Sequence, residues 1–261
     1  MSNTSASDPF IGPRLKVERA KQHVQQLSTE LGSFVKANPI GLIREDNAKT
    51  GQSRWRVTGV KPLPLMWSCY IGDTVHNLRS ALDLLVCDLV RANGQQVRRK
   101  TSFPFSDTRK KFETDGLARI KGVSPTAIRL FQRLKPYKGR NGGKALFLIH
   151  ELDVLDKHKM IIPVGAGYAR IAIKLDAPTL PGRPAPEGLR ISFAPKDRQF
   201  PLQDGAIVFA APIGEIDYDP QVTIQVAFGE GQIAEGEPMI PTLNQLVDFT
   251  ERLINIFAKY T

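Results

Sequence analysis

Cysteine is scarce in this chain, which has only Cys69 and Cys87 among its 261 residues. Both lie on one segment with helical periodicity, and eighteen residues at the helical rise separate them by about 27 Å, far beyond disulfide reach. The sequence therefore excludes a disulfide between them. Their apolar neighbours predict buried thiols, and so little cysteine is typical of a reducing compartment.

Long apolar runs are also missing. No stretch approaches the length needed to cross a bilayer, and the opening MSNTSASDPF has neither the basic nor the apolar part of a classical export signal. We therefore expect a cytoplasmic protein that does not span a membrane.

Negative charge is the third deficit, with 26 Asp and Glu residues against 36 Lys and Arg residues, a net charge of +10 and a pI near 9.7. The excess is concentrated in three basic clusters at 98–100, 109–111 and 135–144. These clusters favour a nucleic acid or another polyanion as partner. A solvated basic surface explains them equally well, and Tyr137 is their only aromatic residue, which gives little support to a base-stacking platform.

Hydrophobic periodicity predicts both helices and strands. Helical patterns cover residues 17–35, 65–91, 124–134, 144–157 and 242–259, with a shorter one near 109–112. Strand patterns cover residues 41–44, 54–60, 168–174, 189–193, 206–210 and 222–228. Ser124 before Pro125 is typical of a helix start, and Thr242 with Gln245 forms a capping-box pattern.

This order of elements predicts an α+β fold, with a bundle core of about five to six helices and an antiparallel sheet in the C-terminal half. Residues 1–12 are expected to be disordered, and residues 13–261 to form a single composite domain. Within it, the helical part is expected to end near residue 160, and the sheet and terminal helix to follow from about residue 161.

The long helical pattern at 65–91 separates into two faces. Apolar residues share one face, and the opposite face carries short polar side chains, namely Asp73, His76, Asn77, Ser80 and Asp83. Such side chains weaken a helix interior, whereas a face that only meets water ordinarily uses Lys, Glu, Gln and Arg. The pattern therefore indicates a buried hydrogen-bond network or a functional site. Arg79 lies beside this face, four residues before Asp83, which is the spacing of an ion pair on a helix. Such an ion pair would explain the presence of both residues by structure alone.

A second polar face lies on the pattern at 144–157, where His150, Asp153 and Lys157 share one side. An ion pair between Asp153 and Lys157 is the structural explanation. If the two polar faces meet inside the bundle, we expect His76 and Asp73 to lie near His150 and Asp153. The candidate catalytic residues are then His76, Arg79, His150 and Asp153.

Helical bundles build metal sites from inward-facing imidazole and carboxylate groups on separate helices. Asp73, His76, His150 and Asp153 are therefore candidate ligands of a divalent metal ion in a metal-dependent hydrolase, with His158 as a spare ligand or general base. The chain lacks HExxH, CxxC and Glu-x-x-His patterns, and it lacks the Gly-x-Ser-x-Gly turn of serine hydrolases. A purely structural polar network is the remaining alternative.

The loop KPYKGRNGGK at 135–144 leads into the second of these helices, where free backbone amides and the helix dipole favour an anion. Lys138, Arg140 and Lys144 are the candidate anion-binding residues. No Ser or Thr follows Lys144, so the loop does not fit the nucleotide-binding P-loop. The loop predicts binding of a phosphate or a nucleic-acid backbone, with a flexible basic turn as the alternative.

The segments IGDTVHNLRSALD (71–83) and HELDVLDKH (150–158) resemble a widespread family of uncharacterised bacterial proteins, and this resemblance extends over most of the chain. A looser similarity is to HEPN domains, helical modules that often act as ribonucleases through an arginine and a histidine with four to six residues between them. This similarity implies Arg79 as the arginine. The matching histidine would lie at 84–86, which here are Leu84, Leu85 and Val86. The similarity therefore implies an RNA- or anion-binding module without the usual ribonuclease histidine.

Overall fold

The computed structural model describes residues 8–138, 143–174, 190–193, 201–214, 221–229 and 231–260. It has an α+β fold with a helical core and antiparallel sheets, which confirms the predicted fold class. The helices are α1 (Ile11–Lys36), α2 (Met66–Ala92), α3 (Arg109–Lys111), α4 (Leu117–Arg119), α5 (Pro125–Leu134), α6 (Lys144–His158) and α7 (Met239–Ala258). A π-helical turn (Phe112–Gly116) joins α3 to α4.

The described strands form two three-stranded antiparallel sheets. The strands are β1 (Gly41–Asn47), β2 (Gln52–Thr58), β3 (Pro163–Lys174), β4 (Arg190–Phe193), β5 (Ile207–Pro212) and β6 (Gln221–Phe228). One sheet has the order β1-β2-β5 and the other β4-β3-β6. The prediction that all the C-terminal strands form one sheet was wrong, because β5 pairs with β2 of the N-terminal hairpin and places Phe209 opposite Trp55.

The hairpin β1–β2 is longer than its apolar pattern predicted. Its charged side chains stabilise the extended strands, since Arg56 donates to Glu45 across the pair at 3.0 Å and Arg44 donates to Asp46 at 2.9 Å. Much of the stretch 45–53, which lies between the two predicted strands, is therefore strand. The Arg56–Glu45 pair crosses the two strands and so favours their pairing along β1, which has no buried residues of its own.

Helix ends follow their capping chemistry in one case and depart from it in another. Ser124 accepts a hydrogen bond from the Ala127 amide, as its N-cap position predicted. The prediction that a capping box at Thr242 starts the last helix was wrong, because α7 begins at Met239 and Thr242 is buried within it. Pro241 falls in the first turn of α7, where no amide donor is needed, so the earlier start is tolerated.

Residues 8–12 have a defined structure, which corrects the expectation of disorder for these five residues. The Asp8 carboxylate accepts from the Phe10 amide and from Arg14, and Phe10 is buried in the main core. The expectation of two buried thiols also needs correction, since Cys69 is exposed on α2 and Cys87 is half-buried. Among the described residues, no helix has both the length and the apolar character needed to span a bilayer.

Two hydrophobic cores hold the elements together. The larger one packs α1, α2, α6 and α7 around fully buried α2 residues, including Ile71, Leu78 and Leu85. The smaller one lies on the β1-β2-β5 sheet around Trp55 and Val57. The α2 helix therefore has its apolar face in the main core, and this fixes the direction of the polar face that meets α6.

Candidate functional site

The polar faces of α2 and α6 meet, as the sequence conditionally predicted. His76 on α2 lies with its Nδ1 3.0 Å from Oδ1 of Asp153 on α6. One turn further along, Arg79 Nη1 donates to His150 Nδ1 over 2.7 Å. The four candidate catalytic residues thus form two contacting pairs across the α2–α6 interface.

The first pair belongs to what we call the Asp153 cluster, made of His76, Asp153 and Lys157. The Asp153 side chain is only 2% exposed, and its second oxygen accepts from Lys157 Nζ at 2.6 Å. A buried carboxylate without partners costs several kcal/mol, and the two donors offset that cost. The ion pair between Asp153 and Lys157 thus occurs as its spacing predicted.

Asp153 also sets the role of His76. A carboxylate only accepts, so His76 Nδ1 carries the proton in this contact and Nε2 of the neutral ring is an acceptor. The His76 side chain is 55% exposed, so its imidazole is accessible to solvent and to ligands. A buried carboxylate behind an accessible imidazole is the arrangement by which proteins orient a general base.

The second pair belongs to the Arg79 cluster, made of Arg79, Asp83, Phe105 and His150. The Arg79 guanidinium lies 4.3 Å above the Phe105 ring, and its Nε donates to Asp83 at 3.2 Å. The His150 ring stacks on the same Phe105, with ring centroids 5.0 Å apart. The Arg79 side chain is only 16% exposed, so it is held on three sides.

Arg79 determines the protonation state of His150. A guanidinium is always a donor, so Nδ1 of His150 must accept and the proton of the neutral ring is on Nε2. Burial and the positive charge of Arg79 both lower the pKa of His150 below its ordinary value. At neutral pH this histidine is therefore a neutral hydrogen-bond donor through Nε2.

Asp83 links this cluster to the segment after α2. Its Oδ1 accepts from the Phe103 backbone amide at 2.8 Å, which places Phe105 beside His150. Arg119 donates to the Phe105 carbonyl at 3.1 Å and holds the same segment from the other side. Phe105 and Arg119 had no signal in the sequence, because they lie in an irregular stretch without helix or strand periodicity.

The predicted metal-ligand set is not assembled. Asp73 is exposed on α2, and the described residues contain no group of three or more His, Cys, Asp or Glu side chains that could hold a metal ion. Asp153 already accepts a hydrogen bond from Lys157, and His150 Nδ1 already accepts one from Arg79. Both cationic neighbours would repel a metal ion, so the structure does not support these four residues as ligands. His158, the spare ligand, is exposed at the end of α6.

The predicted anion-binding residues lie at the start of α6. Lys138 Nζ is 5.5 Å from the centroid of the Phe147 ring, and Lys144 is the first residue of the helix. Both line a groove of about 500 Å³ that Glu235 and Glu237 also line. These carboxylates weaken the attraction of this groove for an anion. Arg140 lies outside the described residues.

A carboxylate that the sequence did not single out, Asp156, lies beside the Asp153 cluster. Asp156 of α6 packs against the backbone of α2 at Gly72, where a methyl group would overlap its carboxylate. Burial raises the pKa of Asp156, and the charges of Asp73 and Asp153 raise it further. Gly72 therefore permits the close approach of α6 to α2 that brings the clusters together.

Positive charge lies near the Arg79 cluster. His150 experiences the charge of Arg119 in addition to that of Arg79, and both lower its pKa. Lys111 lies close by in sequence, where it binds Asp107 and lowers the pKa of that carboxyl. An anionic ligand at the α2–α6 interface would be attracted by this surrounding charge.

Comparisons of the chain with family models, with curated proteins and with solved structures found no match. The chemistry of the two clusters is therefore the basis for a functional proposal.

Proposed function

We propose that this protein binds RNA in the cytoplasm and cleaves it, without a metal ion, at the α2–α6 interface. The observation that carries the proposal is the accessible His76 imidazole held at 3.0 Å by the buried Asp153 carboxylate. An oriented imidazole with a free Nε2 is a suitable general base near neutral pH.

RNA supplies its own nucleophile, the ribose 2′-hydroxyl, so a base and a phosphate-binding group suffice for cleavage. His76 Nε2 takes the 2′-hydroxyl proton as the 2′-oxygen attacks phosphorus. The bond from phosphorus to the 5′-oxygen breaks, and that oxygen takes a proton from water. The products are a 2′,3′-cyclic phosphate and a 5′-hydroxyl end.

The Arg79 cluster supports this reaction by stabilising the phosphate. His150 is neutral and offers Nε2–H as a donor, and the positive charge of Arg79 lies directly behind it. A fixed donor aimed at developing negative charge is an effective form of transition-state stabilisation. The similarity to HEPN ribonucleases fits this role, with the histidine coming from α6 instead of from the helix that carries Arg79.

RNA binding itself is supported by the net charge of +10 and by Arg79 and Arg119, the two arginines whose charges act on His150. Contacts to phosphates release counterions, so the affinity for RNA should fall steeply with salt concentration. Absence of RNA binding even at low salt would contradict the whole proposal.

The decisive experiment measures cleavage of a labelled single-stranded RNA in EDTA. We expect cleavage to persist in EDTA, to stop when the RNA is replaced by DNA, and to leave cyclic phosphate ends. His76→Gln should lower the rate by about 100- to 10,000-fold, the usual contribution of a general base. His158→Gln, which changes an exposed histidine on α6, is the matched control.

Two results would contradict catalysis at this site. Cleavage that requires a divalent metal would favour the metal-dependent hydrolase instead. RNA binding without cleavage, unaffected by His76→Gln, would restrict the function to binding and leave both clusters as a structural polar network.

A further inference from the structure

An apolar groove of about 380 Å³ lies at the junction of the two hydrophobic cores, away from the polar interface. It is lined by the end of α1, the segment before α2, the first turn of α2, and the start of β3. Five of its lining residues are prolines, namely Pro39, Pro62, Pro64, Pro163 and Pro201. Proline offers no backbone donor, so an extended peptide would find few hydrogen-bond partners along these walls.

Ser68 is the buried polar side chain in this groove. Ser68 is one of the lining residues, it is 2% exposed, and its buried Oγ has no hydrogen-bond partner among the described residues. A helical Ser or Thr often donates to the carbonyl four residues earlier, as Thr74 does to Tyr70 at 2.7 Å. The hydroxyl of Ser68 is therefore buried without compensation, which is unfavourable unless a ligand supplies an acceptor.

The rim of the groove is apolar and open to solvent. Leu65, Met160 and Ile162 line it and are all largely exposed, although large apolar side chains are ordinarily buried. Lys61 is the one charged side chain among the described lining residues. The groove thus combines aliphatic walls, one buried hydroxyl and one positive charge.

We propose that this groove binds a single-chain acyl compound, such as a medium-chain carboxylate. The aliphatic tail lies along the proline and aliphatic walls, a carboxyl oxygen accepts from Ser68 Oγ, and Lys61 attracts the negative charge. The volume is near the lower end of ordinary small-molecule pockets, which favours one chain over a two-chain lipid.

The groove has an intrinsic reporter. Trp67 is buried next to Ser68 on α2, and its ring packs edge-on against the lining residue Phe34 at 5.4 Å. A ligand in the groove changes the surroundings of this pair. Binding can therefore be followed by tryptophan fluorescence and checked by calorimetry on the full chain.

The experiment titrates the protein with sodium decanoate, kept below its micelle-forming concentration, and with decanol, kept below its solubility limit. We expect saturable binding of decanoate. Ser68→Ala should weaken it about three- to tenfold, the worth of one hydrogen bond. Lys61→Gln should weaken decanoate binding and leave decanol binding unchanged.

The thermal stability of Ser68→Ala separates a binding role from a structural one. Because the hydroxyl has no hydrogen-bond partner in the part of the chain that the structure describes, its removal should leave the melting temperature unchanged or raise it. Ser33→Ala, in which an exposed α1 hydroxyl that donates to Thr29 is removed, is the control and should not affect binding. The proposal is overturned if decanoate shows no saturable binding, if both serine variants bind equally well, or if Ser68→Ala lowers the melting temperature.

Discussion

The Arg79 cluster and the Asp153 cluster lie one turn apart on the same two helices, and each joins a histidine to a charged partner. In the Arg79 cluster both members are enclosed: Arg79 is 16% exposed, and His150 stacks on Phe105. In the Asp153 cluster only the carboxylate is enclosed, and the His76 side chain is 55% exposed. The burial of each partner therefore decides how firmly a histidine is held: Arg79 and Phe105 fix His150, whereas more than half of the His76 side chain stays open to solvent.

Arg79→Ala should give the largest effect on stability. The change removes the stacking on Phe105, leaves His150 Nδ1 without its donor and leaves Asp83 with only the Phe103 amide, at a cost of about 2–4 kcal/mol in the free energy of unfolding. Urea denaturation measures this cost. Arg91→Ala is the matched control, because Arg91 is an exposed arginine of α2 that pairs with Asp88 and should cost less than about 1 kcal/mol. Equal losses in the two variants would contradict the enclosed character of the Arg79 cluster.

Asp153→Ala should cost less, about 1–3 kcal/mol, because its two donors are half-exposed and can return to water. The same denaturation experiment measures it. Asp107→Ala removes an exposed aspartate that pairs with Lys111, and this control should be nearly neutral. If Asp153→Ala lowers the free energy of unfolding no more than the control does, the burial of this carboxylate has no energetic consequence. That result would contradict the difference between the two clusters.

The pH dependence of stability should report His150. Its folded-state pKa is lowered below the ordinary 6.5, so the unfolded chain binds the proton more readily. The neutral His150 ring therefore makes its full contribution to the stability of the fold above pH 6.5. This contribution is lost as the pH falls towards the lower pKa of the folded state. We expect the free energy of unfolding to fall between pH 7 and 5, and to fall less in His150→Gln. An identical pH profile in the variant would show that other groups cause the decline.

Asp156→Asn should give the smallest effect, a gain in stability well below about 1 kcal/mol at neutral pH. The folded-state pKa of Asp156 is raised, so its ionised form is disfavoured in the folded protein. The gain should disappear as the pH falls below 3.8, the ordinary pKa, because the aspartate is then protonated in both states. Thermal melts at several pH values, with the exposed Asp248→Asn of α7 as control, test this. Destabilisation at neutral pH would indicate a favourable contact of the charge.

Periodicity predicted α2 and α6 and the directions of their polar faces, because apolar spacing alone determines which side enters the core. Periodicity did not predict which side chains would pair. The predicted set of metal ligands therefore combined Asp73 with residues that have other partners in the structure. Phe105 was missed because its position depends on the Asp83 contact and on Arg119. The pairing of β5 with β2 was missed because strand register across a long sequence separation leaves no local signal.

That pairing also affects how the chain reaches its fold. Arg56 of β2 donates to the carbonyl of Gly205, just before β5, across 149 residues of sequence. During synthesis the β1–β2 hairpin therefore emerges long before its third strand, whereas α1 and α2 pack together from nearby segments. The α1–α2 pair can form early through local contacts, whereas the β1-β2-β5 sheet and the packing of α7 on the helical core are completed late. Until then one edge of β2 is unpaired, which makes the nascent hairpin the part of this protein most exposed to misassociation.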